Sequence, residues 1–130
     1  MDRITRILIV ENDAITAADL YAHLLKLGYD VPMIVSTGKN AIRSAAELHP
    51  DLVLMDILLD GKMNGIEAAE AIRISYKIPV VFVTAHDDIQ TITSAKVSAP
   101  YGYITKPYCM SNLKNAIETA LCLEPATDNG

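Results

Sequence analysis

The chain has 130 residues, enough for one ordinary domain whose fold buries roughly two-thirds of the surface that the unfolded chain would expose. Its residues are 51% hydrophobic, yet no apolar run approaches the ~20 residues of a membrane span, which argues against a membrane protein. The net charge of −5 argues against direct binding to nucleic acid, although a fused partner domain could still bind DNA.

The N-terminus and the cysteines favour a cytoplasmic protein. Asp2 and Arg3 lead into an apolar run, which is not the charged, apolar and small-residue order of a signal peptide. Cys109 and Cys122 are therefore expected to be free thiols, buried or half-buried, rather than a disulfide. We predict one domain over residues 1–123, followed by a flexible tail or linker stub at 124–130.

Short apolar runs alternate with helical patterns in the first half of the chain. The run from Ile7 to Val10 is typical of a strand buried on both faces. A helix is predicted from Asp13 to Leu27, with Gly28 as its C-terminal cap. The apolar face of this helix, which we expect to be buried, consists of Ile15, Ala18, Ala22 and Leu25. The next predicted elements are a weaker strand at 31–35, a helix from Thr37 to His49 and a strand at 52–55.

The second half repeats this alternation. Asn64 and Glu67 form a capping-box pattern that opens a helix ending near Tyr76. The remaining predicted elements are a strand at 80–83, a poor helix from Asp87 or Asp88 to Val97, a strand at 101–105 and a last helix capped by Ser111. The last helix collects apolar residues on one side, namely Leu113, Ala116, Ile117, Ala120 and Leu121.

Strict alternation of strands and helices predicts an α/β fold with a parallel sheet and helices on both faces. The flavodoxin-like, doubly wound order 2-1-3-4-5 fits five strands and five helices, and ligands then bind beyond the carboxyl ends of the strands. The residues that directly follow the strands are therefore the candidates for function.

Acids, a hydroxyl and a lysine stand at these strand ends. Glu11 and Asn12 follow the first strand, Asp56 the third, Thr84 the fourth and Lys106 the fifth. Each residue alone has a simpler explanation. Asp56 could form a turn, the Thr84 hydroxyl could have a structural hydrogen-bond partner, and Lys106 could be solvated. Together they suit Mg²⁺, which prefers oxygen ligands, and a carboxylate that attacks phosphorus. Lys106 would neutralise phosphoryl oxygens, and Thr84 would donate a hydrogen bond to one of them.

These motifs, in their order and spacing, resemble the receiver domains of two-component response regulators over about residues 6–123. The segments that carry the resemblance are 7–13, 50–56, 79–85 and 102–107. It implies that Asp56 is the phosphoacceptor and that Lys106 binds phosphate. It also implies that Thr84 and Tyr103 form the switch pair. The Lys106–Pro107 bond is expected to be cis, as in relatives.

The resemblance further assigns the Mg²⁺ ligands to Glu11, Asn12, Asp56 and the backbone carbonyl of Leu58. Asn12 stands where the family usually has an acid, so one negative charge is missing and weaker Mg²⁺ binding is expected. The loop 57–64 also lacks the family's common proline and is about one residue longer, with a turn at Asp60–Gly61 instead.

The function implied is a signalling switch rather than an enzyme, since it would catalyse only its own phosphorylation and dephosphorylation. The expected partners are a histidine kinase or phosphotransfer protein, a downstream target or fused output domain, and a phosphorylation-dependent second copy. Neither nucleic acid nor a membrane is expected as a direct partner. Read-out is expected on the fourth helix, fifth strand and fifth helix, where Tyr101, Tyr103 and Tyr108 either contact partners or pack at the sheet edge.

Two other functions remain. A pseudo-receiver that only binds proteins is favoured by Asn12 but opposed by Asp56, Thr84 and Lys106. An α/β enzyme or flavin carrier is opposed by the absence of a glycine-rich or Ser/Thr-rich phosphate loop.

Overall fold

A five-stranded parallel sheet forms the centre of the molecule. The computed structural model describes residues 3–85, 87–88 and 102–123. The strand order is β2-β1-β3-β4-β5, which confirms the predicted topology. The strands are β1 Ile7–Val10, β2 Ile34–Val35, β3 Leu52–Met55, β4 Val80–Ala85 and β5 Gly102–Lys106.

Four helices connect or follow these strands within the described residues. They are α1 Ala14–Lys26, α2 Gly38–Leu48, α3 Gly65–Tyr76 and α4 Met110–Leu123. The fourth predicted helix, between β4 and β5, lies outside the described residues except for Asp87 and Asp88, which are helical. The predicted tail at 124–130 also lies outside them. In the part of the chain that the structure describes, no helix is both long and apolar enough to cross a membrane.

The sheet separates two apolar layers because successive side chains of a strand point to opposite faces. Leu8 and Val10 face α2 and α3, whereas Ile7 and Ile9 face α1 and α4. Every residue of β1 and β3 is buried, as their continuous apolar runs predicted. The rigid centre therefore fixes the strand ends, where the candidate residues lie.

The predicted buried face of α1 is wrong. Ile15 is 81% exposed and Leu25 is 45% exposed, whereas the buried residues are Ala17, Leu20 and Leu24. The sequence of α1 is apolar on two faces, so its periodicity alone could not select the one that packs against the sheet. The face that packs on the sheet carries Leu20 and Leu24, and both leucines are buried in the core.

Most helix ends follow the predicted chemistry. Asn64 and Glu67 form the predicted capping box, and Thr37 accepts a hydrogen bond from the backbone N–H of Asn40 at 3.0 Å. Gly28, with φ of +91°, ends α1 in the left-handed conformation that favours glycine. The prediction for Ser111 is wrong, because α4 begins one residue earlier, at Met110.

The two cysteines are free, as predicted, but neither is buried. Cys122 lies on α4 away from the side that packs on the sheet, and Cys109 directly precedes the helix; both are exposed. That side carries the buried Leu113, Ile117 and Ala120.

Candidate functional site

Four of the predicted site residues meet at the carboxyl edge of the sheet. Glu11 directly follows β1, and Asp56 directly follows β3. The last residues of these neighbouring strands, Val10 and Met55, are paired, so Glu11 and Asp56 leave the sheet at the same edge. On the other side, Thr84 of β4 and Lys106 of β5 lie one register position apart. Parallel strands thus bring together side chains that are far apart in the sequence.

Asp56 is held by two donors. Its carboxylate is buried, with only 7% of the residue exposed. Oδ1 accepts a hydrogen bond from Thr84 Oγ1 at 3.1 Å, and Oδ2 accepts one from Lys106 Nζ at 3.0 Å. Thr84 is itself fully buried, so its hydroxyl has a fixed partner. Both carboxylate oxygens of Asp56 therefore have defined orientations.

Lys106 bridges two carboxylates. Its ammonium also donates to Glu11 Oε1 at 3.0 Å, while Glu11 Oε2 accepts the backbone N–H of Asp13 at 3.1 Å. Burial raises the pKa of Glu11, although the hydrogen bond from Lys106 opposes this effect. Partial burial would lower the pKa of Lys106, but its bonds to Glu11 and Asp56 outweigh that cost and raise it. With all three ionised, the cluster carries a net charge of −1.

Gly65 is a site residue that the sequence analysis missed. It is the first residue of α3, and a Cβ there would collide with the carbonyl oxygen of Asp56 and lie 2.9 Å from Ile57 Cα. Its backbone N–H donates to the carbonyl of Ile57 at 2.7 Å. The close approach of α3 therefore fixes the backbone at Asp56. The only signal in the sequence was a glycine directly after the helix cap Asn64.

Asn12 and Leu58, the remaining predicted ligand positions, are solvent-exposed at the rim. Leu58 is 59% exposed, and Asn12 borders a groove together with Glu11. Within the described residues, no group of three or more Asp, Glu, His or Cys side chains is arranged to hold a metal ion. Two buried carboxylates matched by one ammonium nevertheless suit a divalent cation with oxygen ligands. An amide or backbone oxygen would have to complete such a site, as the predicted ligands Asn12 and Leu58 provide.

Tyr103 and Pro107 flank Lys106 on the fifth strand and its loop. Tyr103 pairs with Phe82 in the sheet register and is 48% exposed. The Lys106–Pro107 bond is cis, as predicted. Asp13, considered above as a neighbour of Glu11, caps α1 by accepting the backbone N–H of Thr16 at 3.0 Å.

The sequence model of the family described as "Response regulator receiver domain" matches residues 7–118. This chain belongs to that family. It is a receiver domain of two-component signal transduction, and the predicted family is confirmed.

Individual relatives agree with this assignment. The receiver is 37% identical over 103 residues to MtrA of Mycobacterium tuberculosis, a DNA-binding response regulator, covering 79% of this chain and 44% of MtrA. It is 35% identical over 117 residues to the transcriptional regulatory protein PdtaR of the same species, covering 89% of this chain and 56% of PdtaR. The chain thus spans about half the length of these relatives.

A solved structure supports the fold. The signal receiver domain of a modulated diguanylate cyclase from Desulfovibrio desulfuricans G20 superposes with a TM-score of 0.87 at 36% sequence identity. The match covers 94% of this chain and 97% of that one.

Proposed function

We propose that this receiver accepts a phosphoryl group on Asp56 from a phosphohistidine of a histidine kinase or phosphotransfer protein. The observation that carries the proposal is the buried Asp56 carboxylate held between the hydroxyl of Thr84 and the ammonium of Lys106. A carboxylate fixed in this way is a nucleophile whose neighbours can stabilise the charge of a transferred phosphoryl group.

In the transfer, a carboxylate oxygen of Asp56 forms a bond to phosphorus while the phosphorus–nitrogen bond of the donor histidine breaks. The departing nitrogen keeps the bonding electron pair. Lys106 would offset the negative charge of the phosphoryl oxygens, and Thr84 would turn its hydrogen bond from Asp56 towards one of them. The product is an acyl phosphate, and hydrolysis of that bond would restore the carboxylate.

Mg²⁺ is the cofactor that the donor set suits, and it would be held by Glu11, Asp56, the amide oxygen of Asn12 and the backbone carbonyl of Leu58. When bound, it supplies positive charge that offsets the phosphoryl oxygens. The residues of this chain then perform the remaining tasks. Asp56 provides the nucleophile, Lys106 holds two carboxylates in place, and Gly65 lets α3 approach the backbone of Asp56.

The receiver would act in the cytoplasm as a switch and not as an enzyme on other substrates. Withdrawal of the Thr84 hydroxyl from Asp56 would leave room that the exposed ring of Tyr103 could fill. This movement would change the surface around β5 that a downstream target, a fused output domain or a second phosphorylated copy could bind. The receiver itself would contact neither nucleic acid nor a membrane.

The proposal is tested by incubating the protein with acetyl phosphate and Mg²⁺ and measuring its intact mass. We expect a gain of one phosphoryl group, lost in Asp56→Asn but kept in the matched control Asp60→Asn, which changes an exposed acid of the neighbouring loop. Reduction with borohydride and peptide mapping should place the label on Asp56. An unlabelled protein would instead support the pseudo-receiver, and label on another acid would contradict the assignment of Asp56.

A further inference from the structure

Tyr108 joins the loop after Lys106 to helix α1. Its hydroxyl donates a hydrogen bond to Asp19 Oδ2 at 2.9 Å. His23, one turn further along α1, places Nδ1 at 3.3 Å from the same hydroxyl and packs its ring edge-on against that of Tyr108, with ring centroids 5.7 Å apart. Three side chains thus meet where this loop passes α1.

These contacts complete a closed ring around the site. Lys106 Nζ is bonded to Glu11 Oε1, and Glu11 Oε2 is bonded to the backbone of Asp13 at the start of α1. Asp19 lies further along the same helix and is bonded to Tyr108, two residues after Lys106. The backbone of Lys106 is therefore fixed from both sides. The sheet holds the residues before it, and α1 holds the residues after it.

Beside these contacts, the loop and α1 border an open groove. This groove has a volume of about 420 Å³. Its lining residues are Ile15, Thr16, Asp19, Lys106, Pro107 and Tyr108. Tyr108 and Asp19 both line this groove and are joined by their hydrogen bond. Because its acceptor is charged, this bond is stronger than one between neutral groups. Burial, followed by the bond to Asp19, raises the pKa of Tyr108, so the phenol remains a neutral donor at physiological pH.

We propose that Tyr108 and Asp19 are positioning residues that hold the Lys106 ammonium between Glu11 and Asp56 during phosphoryl transfer. This inference rests on the proposed function of Asp56. The lysine side chain is long and flexible, so its ammonium is placed only as well as its backbone is fixed. Small displacements of a charge-stabilising group weaken catalysis without unfolding the protein.

The test replaces the hydroxyl and keeps the ring. With acetyl phosphate as donor, Tyr108→Phe should be phosphorylated about three- to tenfold more slowly, the range expected for loss of one hydrogen bond. Tyr21→Phe, which changes an exposed tyrosine on α1, should react at the unchanged rate. Asp19→Ala should match Tyr108→Phe, whereas Asp19→Asn, which keeps an acceptor oxygen, should recover part of the rate. A small donor is used because it needs no protein docking surface.

A second background separates positioning from general damage. In Lys106→Ala, where the group to be positioned is gone, Tyr108→Phe should cause no further slowing. An equal slowing in that background, or an unchanged rate for Tyr108→Phe alone, would overturn the inference while leaving phosphorylation of Asp56 intact. Failure of the unchanged protein to be labelled on Asp56 would overturn both proposals.

Discussion

One ammonium group faces two carboxylates at the centre of the site. Glu11 is 3% exposed and Asp56 is 7% exposed, so both charges are removed from water to a large extent. Burying an unpaired charge is costly, and here Lys106 provides the compensation for both. The residue that would bind the phosphoryl group therefore also stabilises the site before phosphorylation.

Leu58 is the residue whose replacement should change the lifetime of the phosphorylated state. It lies two positions after Asp56 and is 59% exposed, and its apolar side chain cannot orient a water molecule for attack on phosphorus. Leu58→Asn adds a donor and an acceptor there and should accelerate dephosphorylation several-fold. The measurement is the decay of the phosphorylated mass after removal of acetyl phosphate.

The control for this variant is Ile74→Asn, which makes a similar change at an exposed position, 62% exposed, near the end of α3. It should leave the decay rate unchanged. If the unchanged protein loses its phosphoryl group as fast as Leu58→Asn does, this role of Leu58 in slowing hydrolysis is refuted.

The start of α3 supports the backbone of Asp56, the proposed phosphoacceptor. Gly65→Ala places a methyl group against the backbone of Asp56 and Ile57, so either α3 or the end of β3 must shift. We expect the free energy of unfolding to fall by at least about 2 kcal/mol, as is typical of overpacking. Phosphorylation by acetyl phosphate should slow as well, and urea unfolding with intact mass measures both effects.

Gly28→Ala is the matched control, since Gly28 has a positive φ but no atom within 4 Å of the added Cβ. This variant should lose about 1 kcal/mol through backbone strain alone. It should keep the normal phosphorylation rate. A Gly65→Ala protein as stable and as reactive as the unchanged one would show that α3 does not fix Asp56.

The order of the strands and most helix ends were predictable, because buried parallel strands are continuous apolar runs and caps depend on local chemistry. The orientation of α1 was not, since both faces of the helix are apolar and only packing on the sheet distinguishes Leu20 from Leu25.

The candidate site also contains residues that the sequence predicted and residues that it did not. Strand ends located Glu11, Asp56, Thr84 and Lys106, because parallel topology determines where those ends meet. The sequence did not predict Gly65 or the Tyr108–Asp19 pair. Their contributions depend on how closely a helix approaches a loop, and residue spacing in the sequence does not encode the distance between the two. Asp19 and Tyr108 are 89 residues apart in the chain.

For the molecule as a whole, the Lys106 bridge makes stability depend on pH. Lys106→Met removes the ammonium and should lower the free energy of unfolding at pH 7 by about 1–3 kcal/mol. That range lies below the value for a fully buried pair because 25% of the lysine side chain is exposed. The folded-state pKa of Glu11 lies above its ordinary value of 4.5, so its ionised form destabilises the fold, and this penalty disappears below about pH 4.5.

Without Lys106, the pKa of Glu11 should rise further, since the hydrogen bond that lowers it is lost. The stability difference between Lys106→Met and the unchanged protein should therefore shrink as the pH falls from 7 to 4. Urea unfolding at several pH values measures this difference, and Lys114→Met on the exposed side of α4 serves as control. A deficit that stays constant or grows towards pH 4 would contradict the bridging role.

The spacing of the site along the chain has a consequence for synthesis. Glu11 and Lys106 are 95 residues apart, and β5, which carries Lys106, is synthesised after β1, β2, β3 and β4. A nascent chain can build β1, β2 and β3 early, but Asp56 lacks its bond to Lys106 until β5 docks. An unfinished chain would therefore hold Asp56 without the ammonium that offsets phosphoryl charge, and we expect it to be phosphorylated more slowly than the finished receiver. In refolding experiments, the first appearance of acyl phosphate would report the docking of that strand.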